Sequence, residues 1–104
     1  MTTKARFFPG QQVVHQLFGY RGLIYDVDAE FQGTEEWYNQ MAKSRPPKDR
    51  PWYHVLVHGA DHTTYVAEQN LEAHVGDDLI DHPLLPAYFD GFENGIYRPR
   101  TRGN

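Results

Sequence analysis

Residues 18 to 28 read Phe-Gly-Tyr-Arg-Gly-Leu-Ile-Tyr-Asp-Val-Asp. Two glycines three apart bracket a Tyr-Arg tip, and a run of β-formers ending in acids follows. Glycine admits positive φ and lets a second backbone come close. The run therefore predicts a tight turn at Phe18 to Gly22 feeding a strongly bent strand, Gly22 to Asp28. Small barrels need such a strand at their corners. Strict alternation places Leu23, Tyr25 and Val27 on one face of it, with Ile24, Asp26 and Asp28 on the other. The tip itself presents an aromatic ring and a guanidinium to solvent.

The rest of the chain is consistent with a bent sheet. Val13 to Leu17 predicts a first strand that pairs antiparallel with the second. Trp52 to Val57 and Thr63 to Ala67 predict a hairpin around Gly59 to His62. Glu68 to Asn70 reads as a single helical turn, with a brief fifth strand from Leu71. Thr34 is an N-cap for a short helix ending near Lys43, with Trp37 and Met41 four apart on one side. Three prolines between Arg45 and Pro51 predict a stiff exposed loop. The pattern is mainly β: a small SH3-like β-barrel of about five antiparallel strands with one short α-helix. A partly open β-meander with a helix packed on it is the alternative. The 104 residues make a single domain, with its core at about residues 7–89. His82 to Pro86 reads as extended chain, and residues 94–104 read as a mobile tail, with Tyr97 as the last anchor.

Leu, Ile, Val and Phe together number only 23, so the core must draw on the seven Tyr and two Trp as well. The absence of cysteine excludes disulfides and thiolate chemistry, and fits a cytoplasmic setting. No apolar run approaches the roughly 20 residues of a membrane helix, so no membrane partner is expected. The net charge of −4 is unevenly spread. Residues 1–25 hold Lys4, Arg6 and Arg21 without an acid. Residues 94–104 hold Arg98, Arg100 and Arg102 without an acid. All 14 acids lie between them, against only Lys43, Arg45, Lys48 and Arg50. An acidic middle opposes broad contact with a phosphate backbone.

No phosphate loop, nucleophile motif or cofactor fingerprint is present, so neither catalytic residues nor a cofactor are expected. His54 and His58 share a strand face but stand roughly 13 Å apart at strand rise, too far for one metal ion. Asp26 reads as a backbone hydrogen-bond acceptor and Asp28 as the start of the next turn, rather than as paired catalytic acids. Phe18, Tyr20, Trp52 and Tyr53 suit either a stacking platform for bases, a groove for peptide, or the core. The candidate contact residues are Phe18, Tyr20, Arg21, Trp37, Lys48, Arg50 and Trp52.

Several separate motifs, in order, resemble the YccV-like or hemimethylated DNA-binding domain family: Phe8, Gly10, Val13 and His15; Phe18 to Gly22; Asp26 to Asp28; Trp37-Tyr38; Pro51 to Val57; Tyr65 to Leu71; and His82-Pro83. The resemblance covers roughly residues 7–89 and leaves out the Arg98 to Arg102 segment. It implies an SH3-like barrel in a small cytoplasmic protein that forms homo-oligomers such as trimers. It implies no catalytic residue. Two activities are associated with the family. One is heat-shock-linked promotion of the degradation of client proteins, the replication initiator included, as a specificity factor for the Lon protease. The other is binding of hemimethylated DNA. The acidic middle favours the first.

Overall fold

A computed structural model describes residues 4–100. Its centre is an antiparallel five-stranded sheet of β1 (Gln12–His15), β2 (Arg21–Asp28), β3 (Trp52–Val57), β4 (Thr63–Ala67) and β5 (Leu71–Ala73). The order across the sheet is β4-β3-β2-β1-β5. A short helix, α1 (Glu35–Met41), joins β2 to β3, and a single 3-10 turn (Glu68–Asn70) joins β4 to β5. The expected mainly β class, the five strands and the short helix are all present. β4 and β5 remain the sheet's edges, so the curl is not closed by a strand pairing.

The curl is visible in what one face buries. Val13, Ile24, Tyr53, Val55, Val66 and Leu71, drawn from all five strands, form one cluster with Phe7, which precedes β1. Strands at opposite ends of a flat sheet would not meet in this way. The other face carries two further clusters. Leu23 and Leu56 pack with Ile80, Phe89 and Tyr97, while Trp52 and Ala67 pack with Tyr38 and Ala42 of the helical arm.

Alternation fails at one position in β2. Ile24 faces Val55, Asp26 faces His54, and Tyr25 is the extra residue of a β-bulge. Two residues against one reverse the side-chain phase. Val27 therefore joins Ile24 against the first cluster, while Asp26 and Asp28 lie with Tyr25 on the opposite face. The sequence expectation grouped Asp26 and Asp28 with Ile24; the bulge corrects it.

Other expectations are corrected by contacts distant in sequence. Gln16 and Leu17 lie in the turn rather than in β1. The proline loop is anchored: Pro46 and Pro51 are fully buried, and Pro46 and Pro47 accept hydrogen bonds from Tyr38 Oη and Trp52 Nε1. Residues 85–88 form a second short helix, α2 (Leu85–Tyr88), instead of extended chain. The segment from Asn94 to Arg100 is no mobile tail. β6 (Phe89–Glu93) and β7 (Ile96–Pro99) make a hairpin whose Tyr97 is buried in the second cluster. Tyr97 N–H donates to Gly10 O at 2.9 Å, and Tyr97 Oη accepts from Ile80 N–H at 2.9 Å. Residues 101–104 of that expected tail lie outside the described residues.

Gly22 does not take a positive φ; it is glycine because β3 comes close. A Cβ there would overlap Val55 Cγ1 and stand 2.9 Å from Leu56 O. Gly22→Ala should therefore cost about 1–3 kcal/mol by overpacking, and Gly22→Val more. Urea denaturation would register this as a lowered midpoint with an unchanged slope. An unaltered midpoint would show that β2 and β3 can separate at this point without loss.

Candidate functional site

An apolar groove of about 390 Å³ lies beside the β4 edge. One wall is the β1–β2 turn, with His15, Leu17, Phe18 and Tyr20. The other is the end of α1, with Trp37, Met41 and Lys43. Thr63 to Ala67 form the floor. Each wall follows from local sequence. The turn closes through Gly19, whose φ of 75° suits glycine, and its N–H donates to His15 O at 2.8 Å. Leu17 and Phe18 then project outward, 61% and 76% exposed. Thr34 caps α1 by accepting from Trp37 N–H at 3.1 Å. With that start fixed, Tyr38 and Ala42 enter the core, and Trp37 and Met41 turn to the groove.

An aromatic cluster supports the floor. Phe31 packs on Trp37, Tyr38, Trp52 and Tyr65, at centroid distances of 4.8 to 5.9 Å. Lys48 Nζ lies 4.3 Å from the Tyr38 ring and pairs with Glu35. Arg45 also packs over the Tyr38 ring and bonds Asn39 Oδ1 at 2.8 Å. Of the four loop cations, Lys43 and Arg50 make no ion pair or side-chain hydrogen bond among the described residues, and only Lys43 lines the groove.

Of the seven candidate contact residues, the groove gathers Phe18, Tyr20, Trp37 and Trp52. Trp52 is only 1% exposed, so it supports the floor rather than presenting a surface; the scarcity of aliphatic side chains draws it into the core. Lys48 is held by its cation–π and ion-pair contacts, and Arg50 is exposed but outside the groove. Arg21 is the largest correction. It begins β2 and turns away from the tip, donating to Gln12 Oε1 at 2.6 Å and to Leu79 O at 3.0 Å. Its approach to His58 Nε2 at 3.1 Å is a close contact without a hydrogen bond. His58 Nδ1 accepts from Asp81 N–H, so in the neutral ring Nε2 carries the hydrogen. Leu17, Met41, Lys43 and Tyr65 were missed as site residues. The four-residue spacing of Trp37 and Met41 was the available signal for the α1 wall.

Behind the floor, Asp26, Asp28 and His54 bring their ligand-type atoms within 4.8 Å of one another. It is the bulge that sets them on one face. Asp28 Oδ2 accepts from Tyr65 Oη at 2.6 Å and meets His54 Nε2 at 3.0 Å, and Asp26 Oδ1 accepts from Val27 N–H at 2.9 Å. Two carboxylates and an imidazole are donors suited to a divalent cation. Here their hydrogen bonds hold Tyr65 in place. Burial, reinforced by the Asp28 carboxylate, pushes the Tyr65 phenol far above its ordinary range, so it stays a donor.

The fold and groove define a class: a small bent β-sheet domain with an apolar contact groove beside an open strand edge. The family described as hemimethylated DNA-binding protein YccV-like matches residues 5–96. The chain belongs to that family. No helix among the described residues is long and apolar enough to cross a membrane.

Two expectations follow. Arg21→Ala should destabilise the fold by about 1–3 kcal/mol, because buried Gln12 Oε1 loses its donor. Equilibrium unfolding measures this, and an unaffected stability would return Arg21 to the list of contact residues. His15 controls a second effect. Its Nδ1 accepts from Leu17 and Phe18 N–H at 3.1 and 3.2 Å, and burial lowers its pKa from 6.5. A depressed folded-state value means that the contribution is complete above the unfolded value and is lost as pH falls below it. The unfolding midpoint should drop between about pH 7 and about pH 5, and His15→Gln should flatten that dependence.

Proposed function

We propose that the chain is a non-enzymatic contact domain that takes up polypeptide in the β4 groove and brings clients to a protease. It would act in the manner associated with the stand-alone heat-shock member of the family, HspQ, which the chain resembles in motif order. The protease is Lon, in the cytoplasm, and the replication initiator is among the clients. One observation carries this reading. The groove exposes Leu17, Phe18 and Met41 and is lined by Lys43 with no Asp or Glu, in a chain that has 14 acids. Clustered exposed apolar side chains fit a partially unfolded polypeptide better than a phosphate backbone. Binding one client segment on the domain, with the domain held against the protease, raises the client's local concentration at the protease entry. Assembly into trimers would multiply the groove by three and strengthen that effect.

Adding the purified chain to Lon should speed the degradation of denatured or specific clients. Phe18→Ser with Met41→Ser should remove most of the gain while leaving the unfolding midpoint nearly unchanged, since both side chains are already largely exposed. Client degradation rates that are indifferent to the chain would refute this reading.

The family description favours a second reading, contact with hemimethylated DNA. The cations available for phosphate on the proline loop are Lys43 and Arg50. Two phosphate contacts give affinity that falls about tenfold between 50 and 200 mM salt. Fluorescence anisotropy on hemimethylated, fully methylated and unmethylated duplexes tests it. Equal affinity for all three, or none at low salt, would set it aside.

A further inference from the structure

The β4 edge is not merely the floor of a groove; it is an unpaired template. Val57 N–H donates to His62 O and Glu68 N–H to Pro51 O across the β3–β4 pair. The pairs between them follow the register Tyr53 with Val66 and Val55 with Thr64. In an antiparallel ladder the hydrogen-bonded pairs alternate with non-bonded ones. Thr64 and Val66 therefore turn their backbone groups toward β3, and Thr63 and Tyr65 turn theirs away from the sheet. Among the described residues, no strand lies on that side of β4. The Tyr20 Oη–Thr64 Oγ1 contact at 2.7 Å spans the gap through side chains alone. Beyond Tyr65 the edge closes, because Ala67 is buried and leads into the 3-10 turn.

An added strand would find a chemically distinct wall on each side. Its side chains alternate in direction. Those directed to the inner face of the sheet meet Leu17, Phe18 and Tyr20, and those directed to the outer face meet Trp37 and Met41. Where the edge closes, the groove continues to Lys43 and Ser44. Lys43 is the one formally charged residue of the lining.

From this arrangement we infer that Thr63–Tyr65 receives a short extended peptide as a sixth strand. The peptide carries apolar residues at alternate positions and a carboxylate at the end that reaches Lys43. Main-chain hydrogen bonds to Thr63 and Tyr65 supply register, and the two apolar walls supply selectivity. Charge complementarity excludes a phosphate backbone as the better occupant: one cation suits a single carboxylate, and the walls beside it are apolar. The inference rests on the polypeptide-docking reading above and specifies what kind of segment docks.

The test uses the full chain and an octapeptide alternating leucine and threonine, ending in one aspartate and amidated at its C-terminus, followed by backbone amide NMR. The amides of Thr63, Tyr65 and the Phe18 turn should shift together on titration. The same peptide, N-methylated at the amides that would face β4, should bind about fivefold more weakly or worse, the size expected for losing one or two net hydrogen bonds. Lys43→Glu should weaken the parent peptide similarly while leaving the spectrum of the free chain otherwise unchanged. Equal binding of the methylated and parent peptides would overturn strand addition, as would shifts confined to another face. Concentration-dependent shifts of the β4 amides without peptide would assign the edge to a second copy instead. Shifts of these amides by a hemimethylated duplex and not by peptide would assign it to DNA. If Lon-dependent degradation responds to the chain but the peptide leaves β4 untouched, the strand-addition inference fails alone. If the peptide binds β4 and no client's degradation changes, strand addition stands and the protease reading fails.

Discussion

The extra residue at Tyr25 decides which side of the sheet is core and which is site. Before it, Ile24 faces inward; after it, Val27 does. Without the bulge, Val27 would leave the inner cluster, and Asp26 and Asp28 would enter it beside Tyr53 and Val55. Burying two carboxylates among those side chains would cost far more than the bulge. With it, the acids lie on the outer face, where His54 and Tyr65 satisfy Asp28. Tyr65 is thereby fixed in the middle of β4, and β4 is the groove floor. A backbone irregularity in β2 thus sets the geometry of an edge two strands away.

The outer face would still be exposed without the two arms that cover it. The helical arm brings Tyr38 and Ala42 onto Trp52, and the C-terminal hairpin brings Phe89 and Tyr97 onto Leu23 and Leu56. Both arms are fastened by polar groups as well as apolar ones. Tyr97 links Gly10 to Ile80, and Arg21 links Gln12 to Leu79. Among the described residues these links leave the β4 edge open between the turn wall and the α1 wall. The opening is what remains when each arm has covered its half.

This division explains what was legible in the sequence. β3, β4 and the 3-10 turn could be read to the residue, because alternation, turn residues and β-branching agree there. The Thr34 cap was readable for the same local reason. The bulge was not, since one added residue leaves composition and turn signals untouched. The C-terminal hairpin was missed because its strands are short and a register shift between Phe89 and Gly91 breaks their alternation, and only Tyr97 marked it as anchored. Arg21 was misassigned because position beside a glycine turn says nothing of where a long side chain ends. Its partners Gln12 and Leu79 come from distant parts of the chain. Half of the groove was visible in Phe18, Tyr20 and Trp37; Lys43 and the open β4 edge required the strand order.

The scarcity of aliphatic residues links core and groove more tightly than in a domain with a conventional core. Trp52, Tyr38 and Phe31 fill space that Leu or Ile would otherwise fill, and the partly buried Trp37 and Tyr65 packed against them reach the groove. The groove floor is therefore the outer side of the core itself. A contact surface of that kind is preorganised, so a ligand orders little when it binds. The surrounding charge then narrows what can approach. A net −4 chain repels polyanions at a distance, yet at close range Lys43 is the only formal charge lining the groove. A polymer of phosphates meets the repulsive field along its whole length. A segment with alternating apolar side chains and one carboxylate meets it once, next to the cation that offsets it. On the peptide-docking reading proposed above, this charge distribution opposes a polyanion more than a mostly apolar peptide, and Lys43 at the closed end of β4 makes the difference.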